Sequence, residues 1–411
     1  MRHIAVGIII QRMRFRPRVS LRALVLGVLA CGSGMAVYVQ FEPWAPVLWL
    51  RGHSDTVTSL AWSPDGKSLL SGSRDKTART WNAESGAPLK VLSGHEHAVT
   101  CVDFSPEGAR AVTGSKDETA QIWDLSSGKV TATLKSNFCG EFFSVKFSPD
   151  GKHVLSTSQD GIARLWDSEL GQPRRIFARY RQSADRTGLC VSAEFVNRTH
   201  IVMTTADGDM SCWKIEATTP ESFFGDGRLA FRWAAFSKDG GTLLSPGIRH
   251  EAQAWQSGEK NDSSRMEVQP LATLGGHRGA VIGGGFSPDG ERVLTLSTDG
   301  TARVWSTKDW KCVSVMDPGT RVQAAAFSPD GKRIAVAANR NISLWEQRRP
   351  EPLWGITALP QFWTTLLFGI GFVIVAWRDG KAPVPKPGAT RKEEEESSAE
   401  TVTAEVPKAQ Q

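Results

Sequence analysis

Cysteine is scarce in this chain of 411 residues and tyrosine is nearly absent, with six Cys (31, 101, 139, 190, 212 and 312) and two Tyr. The cysteines form no CxxC pair and show no His-partnered metal spacing, and they are too few to staple a disulfide scaffold. A surplus of one charge is also missing where it would count. Residues 1–22 hold Arg2, Arg12, Arg14, Arg16, Arg18 and Arg22 with no acid, and residues 358–411 hold six basic and seven acidic side chains. The stretch between them, 23–357, carries 37 basic against 36 acidic residues. A nucleic-acid binder needs a basic face on its fold rather than a basic tail, so that partner class is set aside. GxSxG, a phosphate-binding Gly loop and HExxH are absent, and Gly283-Gly284-Gly285 precedes a strand pattern rather than a helix. His95-Glu96-His97 places its two imidazoles only two residues apart, and a structural role for His95 outweighs a metal reading. No catalytic residue, metal or cofactor is expected.

Two long apolar runs bound the central stretch. The first, 23–41, is ALVLGVLACGSGMAVYVQF, free of charge and diluted by Gly27, Gly32, Ser33, Gly34 and Gln40. Behind an Arg-rich start it reads as a transmembrane helix or as a secretory signal segment, including a lipoprotein-like box at Val28–Gly32. In each case the chain after residue 41 leaves the cytoplasm. The second run, from Trp354 to Trp377, is dense in Phe, Ile, Leu and Val, with Trp363 and Trp377 where interfacial aromatics belong. A transmembrane helix is expected over 358–377. Beyond it, 378–411 is rich in Pro, Glu, Lys and Ser and reads as a disordered tail, just as 1–22 reads as a basic tail.

Tryptophan is the abundant residue, at 15, and it recurs. Trp81, Trp123, Trp166, Trp213, Trp255, Trp305 and Trp345 are separated by 42, 43, 47, 42, 50 and 40 residues. Each follows, 18 or 19 residues after, an aromatic: Trp62, Phe104, Phe147, Phe195, Phe236, Phe286 or Phe327. Six of these aromatics open a turn of the form WSPDG, FSPEG, FSPDG or FSKDG, in which Pro presets the first turn position and Gly accepts positive φ. The flanking residues alternate or run short and β-branched, as in AVTCVDF and ARAVTG, which is strand pattern. A four-stranded meander repeated seven times can cover its faces only with its neighbours, and a closed ring removes the end repeats. The fold class expected is all-β, a seven-bladed β-propeller over 45–350, with flanking transmembrane helices.

The repeats SGSRDKTARTWN, SGHEHAVTCVDFSPEGARAVTGSKDETAQIWD and LSTDGTARVWS, each set preceded by Gly-His, resemble the WD-repeat family over residues 46–350. The resemblance implies a buried hydrogen-bonded tetrad of His, Ser or Thr, Asp and Trp in each blade. Carried over by position, it gives His53, Ser71, Asp75 and Trp81; His95, Thr113, Asp117 and Trp123; and His277, Thr295, Asp299 and Trp305. Four blades depart. Blade 3 lacks the His, blade 4 has Met203 in the hydroxyl position, blade 5 has Arg249 for the Asp, and blade 7 has Ala335 and Asn339. Those blades are expected to be looser, because a buried indole N–H without an acceptor costs about 1–3 kcal/mol. The family also takes the outer strand of its last blade from the N-terminal end, which points to Ala45–Arg51.

Family resemblance further implies that partners dock on the face carrying the turn between the second and third strands. The positions that read partners there include Arg74, Lys116, Glu141, Phe143, Leu189, Arg232 and Arg321. An aromatic with excess Arg is interface composition and fits an acidic, partly apolar peptide or loop. The function expected is a membrane-anchored scaffold that binds a protein or peptide partner, without chemistry of its own. By the positive-inside rule, the six early Arg and Arg378, Lys381, Lys386, Arg391 and Lys392 put both tails in the cytoplasm and the propeller outside. The alternative is a propeller enzyme or ligand sensor on the same anchor, whose scattered loop residues would leave no local motif.

Overall fold

The computed structural model describes residues 44–135, 140–177, 190–205, 210–224, 233–247, 249–260 and 266–347. The tails and both apolar runs lie outside the described residues. Among the described residues no helix is long and apolar enough to cross a membrane.

Every regular element described is a strand, and the strands form seven four-stranded antiparallel sheets. β1 (Trp44–Arg51) comes first. Blade 1 is β2 (Val57–Trp62), β3 (Ser68–Ser73), β4 (Thr77–Asn82) and β5 (Pro88–Ser93), and blade 2 is β6 (Val99–Phe104), β7 (Arg110–Ser115), β8 (Ala120–Asp124) and β9 (Lys129–Leu134). Blade 3 is β10 (Phe142–Phe147), β11 (His153–Ser158), β12 (Ala163–Asp167) and β13 (Pro173–Phe177). Blade 4 follows as β14 (Cys190–Phe195), β15 (His200–Thr205), β16 (Met210–Lys214) and β17 (Ser222–Phe224). Blade 5 is β18 (Ala235–Phe236), β19 (Thr242–Pro246), β20 (Ala252–Lys260) and β21 (Met266–Leu274); blade 6 is β22 (Val281–Phe286), β23 (Arg292–Ser297), β24 (Ala302–Ser306) and β25 (Cys312–Met316). Blade 7 consists of β26 (Val322–Phe327), β27 (Arg333–Ala338) and β28 (Asn341–Gln347), with β1 as its outer strand in the order β1-β28-β27-β26.

The turn after each first strand is built by its own residues. In blade 1 the Ser63 hydroxyl donates to Asp65 Oδ1 at 2.6 Å, the Lys67 N–H donates to the same oxygen at 3.0 Å, and Gly66 has φ of 70°. The same pairing recurs at Ser148/Asp150, Ser237/Asp239, Ser287/Asp289 and Ser328/Asp330. These turns define a lower face, and the turns carrying Asp75, Asp117 and Asp299 define the upper one.

Blade faces bury one another. Leu70 of blade 1 packs with Val99, Phe104 and Trp123 of blade 2, and Leu155 of blade 3 packs with Ala193, Ile201 and Trp213 of blade 4. Hydroxyls stitch the same interfaces. Thr58 Oγ1 donates to Val99 O at 2.6 Å and Thr100 Oγ1 to Phe142 O at 2.6 Å. Closure falls in blade 7, where the first and last described residues are strand partners, Trp44 opposite Gln347. The first and last described residues therefore lie side by side, and the Gln347 N–H donating to Lys332 O places them at the lower face.

Candidate partner-binding face

The upper face rests on the tetrads, because they hold the turns that carry its side chains. In blade 1 the Trp81 indole N–H donates to Ser71 Oγ at 2.8 Å, and Ser71 Oγ lies 2.8 Å from His53 Nε2. His53 Nδ1 lies 2.7 Å from Asp75 Oδ2, and Asp75 accepts the N–H groups of Ser54 and Thr77 at 3.0 Å. One order of protons satisfies this chain: indole to hydroxyl, hydroxyl to Nε2, and a neutral imidazole donating through Nδ1 to a carboxylate. Burial holds His53 and His277 below the usual imidazole range, against the attraction of their own aspartates. Burial alone would raise Asp117, but hydrogen bonds from His95, Thr119 and the Glu96 N–H outweigh it and lower the carboxyl well below its ordinary value. Blade 2 matches at 2.8, 2.7 and 2.7 Å through Trp123, Thr113, His95 and Asp117. In blade 6, Trp305, Thr295, His277 and Asp299 give 2.8, 2.9 and 3.1 Å.

The departing blades correct the expectation of stranded indoles. Trp166 donates to Ser156 Oγ and Trp255 to Ser245 Oγ, at 2.8 and 2.9 Å, in the expected hydroxyl position. Blades 4 and 7, which lack that hydroxyl, take it from two residues before the Trp: Trp213 donates to Ser211 Oγ at 2.9 Å and Trp345 to Ser343 Oγ at 2.8 Å. In blade 3 the missing His is replaced by Arg164, 5% exposed, which pairs with Asp160 and donates to Ser158 Oγ at 3.0 Å. All seven indoles therefore have an oxygen acceptor.

Backbone hydrogen bonds tie the upper turns of five blades to the start of their first strands and so place the expected positions Arg74, Lys116, Glu141 and Arg321. The Arg74 N–H donates to Thr56 O, Lys116 to Ala98 O, Gln159 to Glu141 O, Thr298 to Ala280 O and Asn339 to Arg321 O, at 2.8–3.3 Å. Arg74, Lys116 and Arg321 are exposed, and Phe143 is 39% exposed, large for an aromatic. Lys116 and Glu141 pair with each other at 2.6 Å across blades 2 and 3, so neither is an independent charge on this face. Leu189 and Arg232 lie outside the described residues. Thr58 and Thr100, near the same face on the first strands of blades 1 and 2, serve as the interblade stitches described above.

One cluster had no counterpart in the sequence reading. The residue before each first-strand aromatic is Ala61, Asp103, Lys146, Glu194, Ala235, Gly285 or Ala326, so blades 2–4 place three charges in a row on adjoining inner strands. Lys146 Nζ lies 3.5 Å from Asp103 Oδ1, and Asp103 Oδ2 accepts the Phe147 N–H at 2.9 Å. The signal available was their identical offset from the aromatic in three successive repeats. Among the described residues no group of three His, Cys, Asp or Glu side chains is placed to hold a metal ion.

The closed ring of four-stranded blades, with Trp-anchored hydroxyl networks behind one face, defines a repeat β-propeller. Five segments, 44–82, 86–124, 128–167, 268–306 and 310–346, match the family description "WD domain, G-beta repeat". These matches and the seven-bladed ring support the WD-repeat family for this chain. Part of the chain is similar to "Eukaryotic translation initiation factor 3 subunit I" of Aspergillus fumigatus, 33% identical over 107 residues, covering 26% of this chain and 29% of that protein. The same subunit of Aspergillus oryzae is 31% identical over 107 residues, covering 26% and 30%. "Protein LST8 homolog" of Dictyostelium discoideum is 32% identical over 83 residues, covering 20% and 26%. The chain thus spans less than a third of the length of these relatives.

Proposed function

We propose that this protein is a membrane-anchored, non-catalytic scaffold whose propeller captures a protein or peptide partner on its upper face. The observation that carries the reading is the tying of the upper turns of five blades to the start of their first strands, which places Arg74, Lys116, Glu141 and Arg321. Seven hydrogen-bonded blades hold exposed side chains at regular spacing, which suits recognition with little ordering cost. A protein partner agrees with the WD repeats and with relatives whose names describe a subunit. The runs 23–41 and 358–377 supply the anchor, the tails are cytoplasmic and the propeller is extracytoplasmic.

Crosslinking in intact membranes followed by mass spectrometry, with wild type beside a Phe143→Ala/Arg321→Ala variant, tests this. Loss of the crosslinked partner with an unchanged melting curve is expected. Retention of every partner by the variant, with loss on changing Arg174 and Arg175 of the outer strand β13, moves the site to the side of the ring and refutes the reading. The ligand-sensor alternative is favoured by one observation, the Asp103–Lys146–Glu194 row on inner strands.

A further inference from the structure

Two cations elsewhere on the upper face have carboxylate partners, Lys116 with Glu141 and Arg164 with Asp160, while Arg249 and Arg278 are exposed and stand singly in blades 5 and 6. The seam where blade 7 meets blade 1 differs. Arg51, Arg74, Lys76, Arg321 and Arg340 are all exposed there, and none takes part in the ion pairs formed among the described residues.

Backbone hydrogen bonds fix these cations along one line. Asn339 N–H donates to Arg321 O at 3.3 Å, Val57 N–H to Asn339 O at 2.8 Å, and Arg74 N–H to Thr56 O at 2.9 Å. That path runs from blade 7 across the seam into the second turn of blade 1. Arg340 adjoins Asn339, which has φ of 55°, and Arg51 is the strand partner of Asn341. Lys76, φ 71°, sits in the same turn as Arg74.

The nearby carboxylates do not balance them. Asp75 is taken up by His53, while Asp55 and Asp317 accept backbone N–H groups from Thr56 at 2.6 Å and Gly319 at 2.8 Å. Five cations therefore face two exposed acids, in a fold whose central stretch is otherwise close to neutral. Surface charges of one sign repel within a Debye length, and a partner carrying the opposite sign relieves that repulsion and speeds encounter.

We propose that the seam between blades 7 and 1 is a docking groove for an extended acidic segment, rich in Asp and Glu, of a partner protein. This rests on the reading of the upper face as the partner-binding face, and it places the docked segment across the closure rather than across Phe143. Arginine suits the task because its planar fork takes a carboxylate through two parallel hydrogen bonds. The cations lie in an arc over two blades rather than converging on a point, so they match successive side chains of an extended strand better than one small anion.

The test uses the full-length protein in detergent and a fluorescein-labelled hexaglutamate peptide read by fluorescence anisotropy. Saturable binding that weakens steeply with added salt is expected. Arg74→Glu/Arg340→Glu should weaken it about tenfold or more, while Lys116→Ala changes it less than about twofold, with both melting curves unmoved. Equal binding by wild type and the double variant overturns the proposal. So does tighter binding of a hexathymidylate oligonucleotide, which would make the seam a phosphate site. A tenfold gain in peptide affinity on removing residues 393–411 would identify the chain's own Glu393–Glu396 run as the occupant and also overturn it. The crosslinking experiment separates the two levels: capture lost in Phe143→Ala/Arg321→Ala yet intact in Arg74→Glu/Arg340→Glu defeats the seam but not the scaffold.

Discussion

A buried indole N–H without an acceptor, as at Trp44, costs free energy, and each of the seven repeated Trp avoids that cost with one hydroxyl placed at one of two offsets before it. Ten residues before the Trp the chain has Ser71, Thr113, Ser156, Met203, Ser245, Thr295 and Ala335; two before it has Arg79, Gln121, Arg164, Ser211, Gln253, Arg303 and Ser343. Serine occupies the nearer position only where the farther one has no hydroxyl. Ser343→Ala should therefore cost about 1–3 kcal/mol by stranding Trp345, and adding Ala335→Ser should recover most of it. Urea denaturation of the three proteins decides the matter, and no recovery in the double variant would mean that the two offsets are not interchangeable. This exchange was legible in the sequence. It is overlooked when each blade is compared with one pattern, because a polar group two residues from the Trp on the same strand resembles an ordinary surface residue.

The imidazoles add a dependence on pH at the same scale. His53 and His277 are lowered, first by burial, so between the ordinary histidine value of about 6.5 and their lower folded values the unfolded chain binds protons that the fold refuses. Their contribution is full above about pH 7 and falls as the pH drops through 6.5. Asp75, Asp117 and Asp299 are also lowered, because hydrogen bonds outweigh the burial that would raise them, so their contribution holds above about pH 4 and is lost below it. Calorimetry should give a lower Tm at pH 5.5 than at 7.5, with a shallower slope in His53→Asn/His277→Asn. A flat profile for the wild type would contradict the neutral-imidazole arrangement.

Among the elements, β1 carries an unusual burden, since closure of the ring depends on its pairing with β28 and the four described cysteines are all free. Arg292, at the start of β23 in blade 6, reaches over this joint. Its guanidinium lies 5.6 Å from the Trp44 ring centre and 5.9 Å from that of Phe327, and Nη1 donates to Gln347 Oε1 at 3.4 Å. One side chain thus holds the first and last described residues against the next blade. Arg292→Ala should cost about 1 kcal/mol in cation–π contact and open the joint to protease before the rest of the ring. Limited trypsinolysis with mass spectrometry locates the first cut, and a first cut inside blades 1–3 would show that the joint is not the weak point. The outer-strand exchange itself was readable from APVLWLR ahead of Gly52-His53. Arg292 was not, because its role depends on a partner 248 residues earlier in the chain and its own repeat marks it only as the residue after a turn. Blades 4 and 5 lie largely outside the matched family segments, and both depart from the tetrad, blade 4 with Met203 in the hydroxyl position and blade 5 with the exposed Arg249 in the Asp position.

For the whole molecule, the pairing of Trp44 with Gln347 bears on the proposed anchor, because it brings the first and last described residues together. Only two residues separate position 41 from Trp44, and ten separate Gln347 from position 358, so two spans would begin at the same edge of blade 7 on the lower face. The proposed anchor carries the expectation that the Ser-Pro-Asp-Gly turns face the bilayer and that Arg74, Phe143 and Arg321 face away from it. The proposed sidedness, both tails in the cytoplasm, rests on the six early Arg and the basic cluster after Trp377. Protease added to intact cells or spheroplasts should then remove the propeller and spare a C-terminal tag. A second measurement checks the orientation. Fluorophores placed through Glu107→Cys on the lower face and Arg74→Cys on the upper, in a background with Cys312 changed to Ser, should differ in quenching by nitroxide lipids, with position 107 quenched more. A protected propeller defeats the sidedness, while equal quenching at both positions defeats the lower-face attachment and leaves the sidedness standing.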